Sequence, residues 1–391
     1  MTATSAASRL GYRPELDGLR GVAVILVVLL HLRGWPPGGF LGVDVFFTLS
    51  GFLITTLLFE EWRANDRVSL RDFYVRRSLR LFPAVIVLLV FYTVVSLILG
   101  GPELATRLKG ALYGATYVSN WIQAYGLAFP EKEIGYLWSL AIEEQFYLLW
   151  PAALLLAVSV VRLSPRRLIG VLTLLIVAVV AWRYALTSAG VVGRRVYFGT
   201  DGHLDQLMMG AALAIWFVAR PMEKANLLLI KLAGWAGVAF LAWRLFDPEY
   251  FRWWYPTIGL AATGLASTAI IGCLVTNASP ILKAVLSTRW LRVVGVLSYS
   301  LYLWHVPAIR LVERSPLSQS RTLFTIGGVV LSLLFAGASY QFVERPFLRR
   351  RRAHERLRAT KADAEATASG VGRAPFLPQR SELMSRAGQT P

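Results

Sequence analysis

His31 stands eleven residues beyond Arg20, at the far end of a run of aliphatics that follows Leu16-Asp17-Gly18-Leu19-Arg20-Gly21. On an α-helix that spacing is about three turns and roughly 16 Å of rise, so both side chains share one face at opposite ends of it. Asp17 and Arg20, three apart, can pair. An imidazole titrates near neutrality and can take a proton from a hydroxyl, which makes His31 a candidate general base. A histidine hydrogen-bonded between helices would have the same sequence surroundings.

Asp44 lies in the next apolar stretch, Gly42-Val43-Asp44-Val45-Phe46-Phe47-Thr48-Leu49-Ser50-Gly51-Phe52. If the first two helices form a hairpin, it reaches the level of His31 and can orient the imidazole and stabilise its protonated form. The small Ser50 and Gly51 equally suit plain helix packing. Arg77 and Arg80 share a helix face at i, i+3 and run directly into a membrane helix. Two guanidinium groups so placed can clamp phosphate oxygens, although positive charge at a membrane edge is also ordinary. Glu143 and Glu144 open the otherwise apolar Trp138-Ser139-Leu140-Ala141-Ile142-Glu143-Glu144-Gln145-Phe146-Tyr147. Adjacent helical residues point about 100° apart, so at most one of the two faces a given site. His203 reads as interfacial. Tyr299, Tyr302 and His305 fall along one helix face, as cavity lining or as packing aromatics.

Such residues need helices to hold them. Of 391 residues 55% are hydrophobic and only 16% charged, against about 25% in soluble domains. The apolar runs extend from residue 21 to residue 343, which describes an all-α, polytopic transmembrane helix bundle. A net charge of +18, carried by 35 Arg and 6 Lys, would suit nucleic acid, but the apolar runs argue against such a partner and for the lipid bilayer. Cys273 is the sole cysteine, so neither an intrachain disulfide nor a Cys-based metal site is expected. Pro36-Pro37-Gly38-Gly39 offers no small-residue cleavage site, so the first apolar segment reads as a retained helix.

Ten segments have the length or apolarity of a span: 16–34, 41–59, 81–100, 137–160, 168–188, 203–219, 228–246, 256–277, 292–312 and 322–343. Residues 106–128 are half-polar and read as re-entrant or interfacial; an eleventh span there would invert the second half. With ten, Lys and Arg concentrate loop by loop on one face, and the positive-inside rule puts both termini in the cytoplasm. Residues 1–346 then form the membrane domain. Residues 347–391 form a basic tail with no apolar pattern, which reads as disordered, and Arg349 to Arg352 attract anionic headgroups.

Taken in order, these strings resemble acyltransferase family 3, membrane proteins that O-acylate sugars and other hydroxylated acceptors. The resemblance covers residues 13–346. It rests on Arg20 with His31 (the family's Arg-x10-His), GVDVFFTLSGFLIT at 42–55, Arg77 with Arg80 (its Arg-x-x-Arg), WSLAIEEQFYLLWP at 138–151, SYSLYLWHVP at 298–307 and VERP at 343–346. It implies a ten-helix bundle of a bacterial inner membrane that takes an acyl group from cytoplasmic acyl-CoA, a co-substrate and not a bound cofactor. Many relatives carry a fused C-terminal hydrolase-like domain, and this chain resembles the stand-alone form.

On that reading Arg20, Arg77 and Arg80 hold the polyanionic donor. Its pantetheine arm spans a third to a half of the ~30 Å hydrocarbon core, enough to bring a thioester from the arginines towards His31. His31 deprotonates the acceptor hydroxyl or carries the acyl group itself, and Asp44 or Glu143 orients or balances the imidazolium. The acceptor is a glycan, a glycolipid or a macrolide-like metabolite. No metal is called for. The competing expectation is a non-enzymatic transporter, in which the same intramembrane charges form a solute or ion path. Its common mark, an internal repeat, is not evident between the halves.

Overall fold

The computed structural model describes residues 10–191, 193–219, 226–247 and 255–349. Every regular element among them is helical. The basic tail from residue 350 onward lies outside the described residues.

Helix α1 (Pro14–Arg33) begins on Pro14, whose fixed φ suits a first turn, with Glu15 and Asp17 at the positive end of the helix dipole. It stops at Gly34, where a φ of +62° lets the N–H reach the Leu30 carbonyl at 2.8 Å. Next come α2 (Leu41–Asn65) and α3 (Leu70–Leu99), the latter capped by Ser69, whose hydroxyl accepts from the Asp72 N–H at 3.3 Å. The half-polar stretch then forms α4 (Leu104–Ala115) and α5 (Ser119–Ala124), broken at Tyr117 with φ +53°. At 1.5 Å per residue α4 rises about 18 Å, too little to cross a ~30 Å core.

A short α6 (Glu131–Ile134) leads into α7 (Leu137–Leu155), α8 (Pro165–Ser188), α9 (Gly193–Phe198) and α10 (Leu204–Ala219). The rest is α11 (Leu227–Leu245), α12 (Leu260–Val275), α13 (Pro280–Leu286), α14 (Arg289–Val296), α15 (Ser298–Glu313) and α16 (Arg321–Ala338). π-helical turns extend α7 and α16 and precede α12.

Among the described residues, seven helical stretches are long and apolar enough to cross a membrane: Pro37–Asn65, Leu70–Leu99, Leu137–Val160, Pro165–Ser188, Leu227–Leu245, Tyr255–Val275 and Arg321–Arg349. The chain is a multi-pass membrane protein. The other three expected spans are helical but fall short of that measure. α1 carries Glu15, Asp17, Arg20 and Arg33; α10 has 16 residues; and the 292–312 segment divides at Leu297 into α14 and α15. Outward-facing Ile86, Val90 and Ile98 on α3 and Leu174 and Val177 on α8 present apolar surface to lipid.

The interior is set by close helix crossings. A Cβ on Gly51 of α2 would lie 1.9 Å from the Leu207 carbonyl oxygen, and one on Gly210 of α10 would lie 2.0 Å from that of Thr48. These reciprocal glycines let two backbones touch, the device that replaces hydrophobic drive inside a bilayer. α1 meets α13 and α14 in the same way, through Gly18 and Gly295.

A buried ion pair crosses this interior. Arg183 of α8 donates to both carboxylate oxygens of Asp205 of α10, at 2.9 and 2.7 Å, with both side chains fully buried. Removing one partner strands a buried charge, so Asp205→Ala is expected to destabilise the protein by roughly 3–5 kcal/mol. Arg183→Leu combined with Asp205→Leu should melt much closer to wild type. Thermal unfolding of the three proteins in detergent checks the order.

Candidate active site

One end of the α1 face opens on a cavity of about 220 Å³, enclosed by α1, α2, α3, α7 and α15. Its polar lining comprises Arg20, Ser50, Arg77, Arg80, Ser139, Glu143, Tyr147, Ser298, Tyr299 and Tyr302, set among Phe46, Phe47, Leu49, Leu53 and Leu140. Arg77 and Arg80 enter together, as their i, i+3 spacing on α3 requires, and α1 brings Arg20 to the same space. Three guanidinium groups converging on one cavity suit a polyanion, since each offers several donors in a planar fork.

Glu143 is the one acid in this lining. Its carboxylate accepts from Ser50 Oγ at 2.9 Å and interacts with Arg77 and Arg20. The Arg77 guanidinium also lies 3.6 Å from the centroid of the Tyr147 ring, a cation–π contact. Glu144 is turned away from the cavity but still interacts with Arg77. Neighbouring carboxylates on one helix thus diverge, and one arginine serves both.

The far wall is built on α15. Tyr302 donates its hydroxyl proton to the Tyr136 carbonyl at 2.6 Å, so Ser139 must be the donor in the 2.6 Å contact between the two hydroxyls. Tyr299 donates to the Leu81 carbonyl at 2.8 Å and fixes α15 against α3. One turn past Tyr302, the buried His305 ring lies edge-on to His31, with centroids 4.8 Å apart. His31 itself is exposed. Its Nδ1 is 2.8 Å from the Val27 carbonyl. A carbonyl only accepts, so Nδ1 carries the hydrogen and the Nε2 lone pair is left for a substrate proton.

Arg20, Arg77, Arg80 and Glu143 are therefore brought together, and His31 sits at the opposite end of α1. Asp44 is not at His31. Its carboxylate accepts from Gln206 Nε2 at 3.0 Å and from the Tyr255 hydroxyl at 3.1 Å, and lies 3.8 Å from His203 Nδ1. The hairpin expectation took α1 as the partner of this face of α2; the Gly51–Gly210 crossing turns the face to α10 instead. His203, read as interfacial, is fully buried there and donates from Nε2 to the Tyr197 carbonyl at 2.6 Å. A signal was present in Asp201-Gly202-His203-Leu204-Asp205-Gln206: that many polar residues against an apolar helix imply a buried network.

Near this network, Arg195 grips both oxygens of Asp201 at 2.8 and 2.7 Å, and Trp182 Nε1 donates to it at 2.7 Å. Partial burial alone would raise the Asp201 carboxyl, but these hydrogen bonds outweigh it and hold the group below its ordinary range. Among the described residues no three His, Cys, Asp or Glu side chains gather as a metal site.

Residues 13–340 match the family model described as an acyltransferase domain. The chain belongs to acyltransferase family 3. That match takes in both the arginine-lined cavity and the His31 end, so the family's shared region and this site coincide.

Two curated relatives extend the comparison. The peptidoglycan O-acetyltransferase OatA of Listeria monocytogenes is 36% identical over 356 residues, covering 86% of this chain and 56% of the relative. The O-acetyltransferase OatA of Staphylococcus aureus is 37% identical over 349 residues, covering 86% of this chain and 57% of the relative. This family 3 chain thus spans just over half the length of the curated relatives it matches. No solved structure gives a significant match.

Proposed function

We propose that this protein is an acyl-CoA-dependent O-acyltransferase of a bacterial inner membrane that acylates a hydroxyl of a cell-envelope glycan. The observation that carries the reading is the division of the α1 face: three arginines with Glu143 around a cavity at one end, and an accessible imidazole at the other. The names of the relatives favour acetyl as the acyl group and peptidoglycan as the first acceptor to try. Ten spans with both termini in the cytoplasm place the arginine-lined cavity on the side where acyl-CoA is found. Residues 1–346 act as the membrane domain.

Arg20, Arg77 and Arg80 bind the donor's phosphates. Glu143 balances Arg77 and Arg20 while the site is empty and keeps them pointed into the cavity. The pantetheine arm runs along α1 towards His31. His31 Nε2 takes the acceptor's hydroxyl proton as that oxygen attacks the thioester carbonyl carbon. The C–S bond breaks, and the CoA thiolate leaves and is reprotonated. Asp44, held by α10, supports the position of α2 and does not touch the reacting atoms.

Membranes containing the protein, supplied with acetyl-CoA and muropeptide fragments, should release free CoA in step with ester-linked acetate on the fragments. A transporter would move solute without consuming thioester. Absence of acceptor-dependent CoA release with acetyl-, propionyl- and succinyl-CoA would overturn the reading.

A further inference from the structure

We infer that His305 is a positioning residue for His31, accepting the hydrogen bond of the His31 imidazolium once the acceptor's proton has been taken. The inference rests on the acyltransferase reading above and adds a second imidazole to it.

Two observations carry it. The first is the locked tautomer of each ring. His31 Nδ1 lies 2.8 Å from the Val27 carbonyl, and His305 Nδ1 lies 2.6 Å from the Tyr302 carbonyl. Both Nδ1 atoms must be donors, so in the neutral state both Nε2 atoms carry lone pairs. Two such lone pairs repel; a proton gained by His31 turns that repulsion into attraction, drawing the edge-on rings together until the two nitrogens share it. The second is that His305 Nε2 is fully buried and has no hydrogen-bond partner. A structural histidine in a helix bundle would satisfy both nitrogens, because a buried unpaired acceptor is destabilising. Among the described residues the one nitrogen-bearing ring against it is His31, edge-on at 4.8 Å, with the rings of Tyr136 at 5.1 Å and Tyr302 at 5.6 Å also packed on it. The Tyr136 and Tyr302 hydroxyls both donate to backbone carbonyls, of Leu303 and Tyr136, and so are not available to His305.

The chemistry explains the need. The acceptor O–H bond breaks and its proton bonds to His31 Nε2, while the oxygen forms its new bond to the acyl carbon. That oxygen then belongs to an ester and is a poor acceptor. The imidazolium N–H needs another acceptor, and the buried His305 Nε2 beside it supplies one. The proton returns from the pair to the CoA thiolate as the C–S bond breaks, so the step neither gains nor loses protons or electrons.

Three variants test this in full-length protein in membranes. A glutamine at 305 places an amide oxygen near the Nε2 position; an asparagine keeps the donor to the Tyr302 carbonyl but has no atom there; a leucine keeps neither. His305→Leu and His305→Asn are expected to lower kcat roughly 10- to 100-fold, the size of a hydrogen bond to a charged group. KM for acetyl-CoA should stay within about twofold, and His305→Gln should recover most of the loss. A purely structural role gives the opposite order, since an unpartnered amide buried among aromatics is worse than leucine. His305→Asn retains the backbone hydrogen bond and so keeps the test open where leucine does not fold. Wild-type CoA release that is lost in His31→Ala but kept in His305→Asn and His305→Leu overturns this inference alone. Failure of wild-type release overturns the acyltransferase reading, and this inference with it.

Discussion

His31→Ala is expected to lower acceptor-dependent CoA release roughly 10²- to 10⁴-fold, the usual worth of a positioned general base, and to leave the fold intact. The second half of that expectation follows from exposure. His31 is accessible and its single hydrogen bond is to a carbonyl within its own helix, so truncation opens no sealed cavity and strands no buried charge. Substitutions of that kind usually stay within about 0.5 kcal/mol. Thermal unfolding should therefore be unchanged while turnover collapses. KM for acetyl-CoA should also hold, because the donor's phosphates are gripped three turns away at Arg20, Arg77 and Arg80. Full activity in the alanine variant would remove both the general-base and the acyl-histidine versions of the reaction.

The parts of this site legible in the sequence are those governed by one helix at a time. Arg20 and His31 lie at two ends of α1, Arg77 and Arg80 enter one cavity, and Glu143 faces it while Glu144 does not. All three follow from 3.6 residues per turn. The all-helical fold follows equally from apolar runs too long and too numerous for a soluble chain. What could not be read is which helices touch. A hairpin of the first two helices would bring Asp44 to the level of His31, yet its face meets α10, 162 residues away at Gln206. Periodicity carries no information about that crossing; Gly51 and Gly210 do, but only once they are known to face each other. His305 shows the same limit. Its spacing from Tyr299 and Tyr302 suggests one cavity-lining stripe, and both tyrosines do line the cavity. His305 lies one turn further on, beyond the wall those residues make, and meets α1 instead.

Arg80→Ala is expected to raise KM for acetyl-CoA by roughly 10- to 100-fold, with little change in kcat. Losing one charge-assisted hydrogen-bond partner of a polyanion weakens binding by about 1.5–3 kcal/mol, and each 1.4 kcal/mol is tenfold. Arg80 is a cleaner test than Arg77. Arg77 interacts with both Glu143 and Glu144 and stacks on Tyr147, so its removal leaves Glu143 to Arg20 and Ser50, strands Glu144 and threatens the fold. Arg80 interacts with Glu344, which is also hydrogen-bonded by Ser300 and so keeps a partner when the guanidinium goes. The decisive comparison uses acetyl-pantetheine, which has the thioester and the arm but no nucleotide phosphates. Wild type should strongly prefer acetyl-CoA over it; Arg80→Ala should lose most of that preference while handling acetyl-pantetheine as wild type does. Such a cycle isolates the arginine–phosphate interaction from any general loss of packing. If the variant were impaired equally with both donors, Arg80 would be holding the bundle together and the phosphate clamp would have to be sought elsewhere.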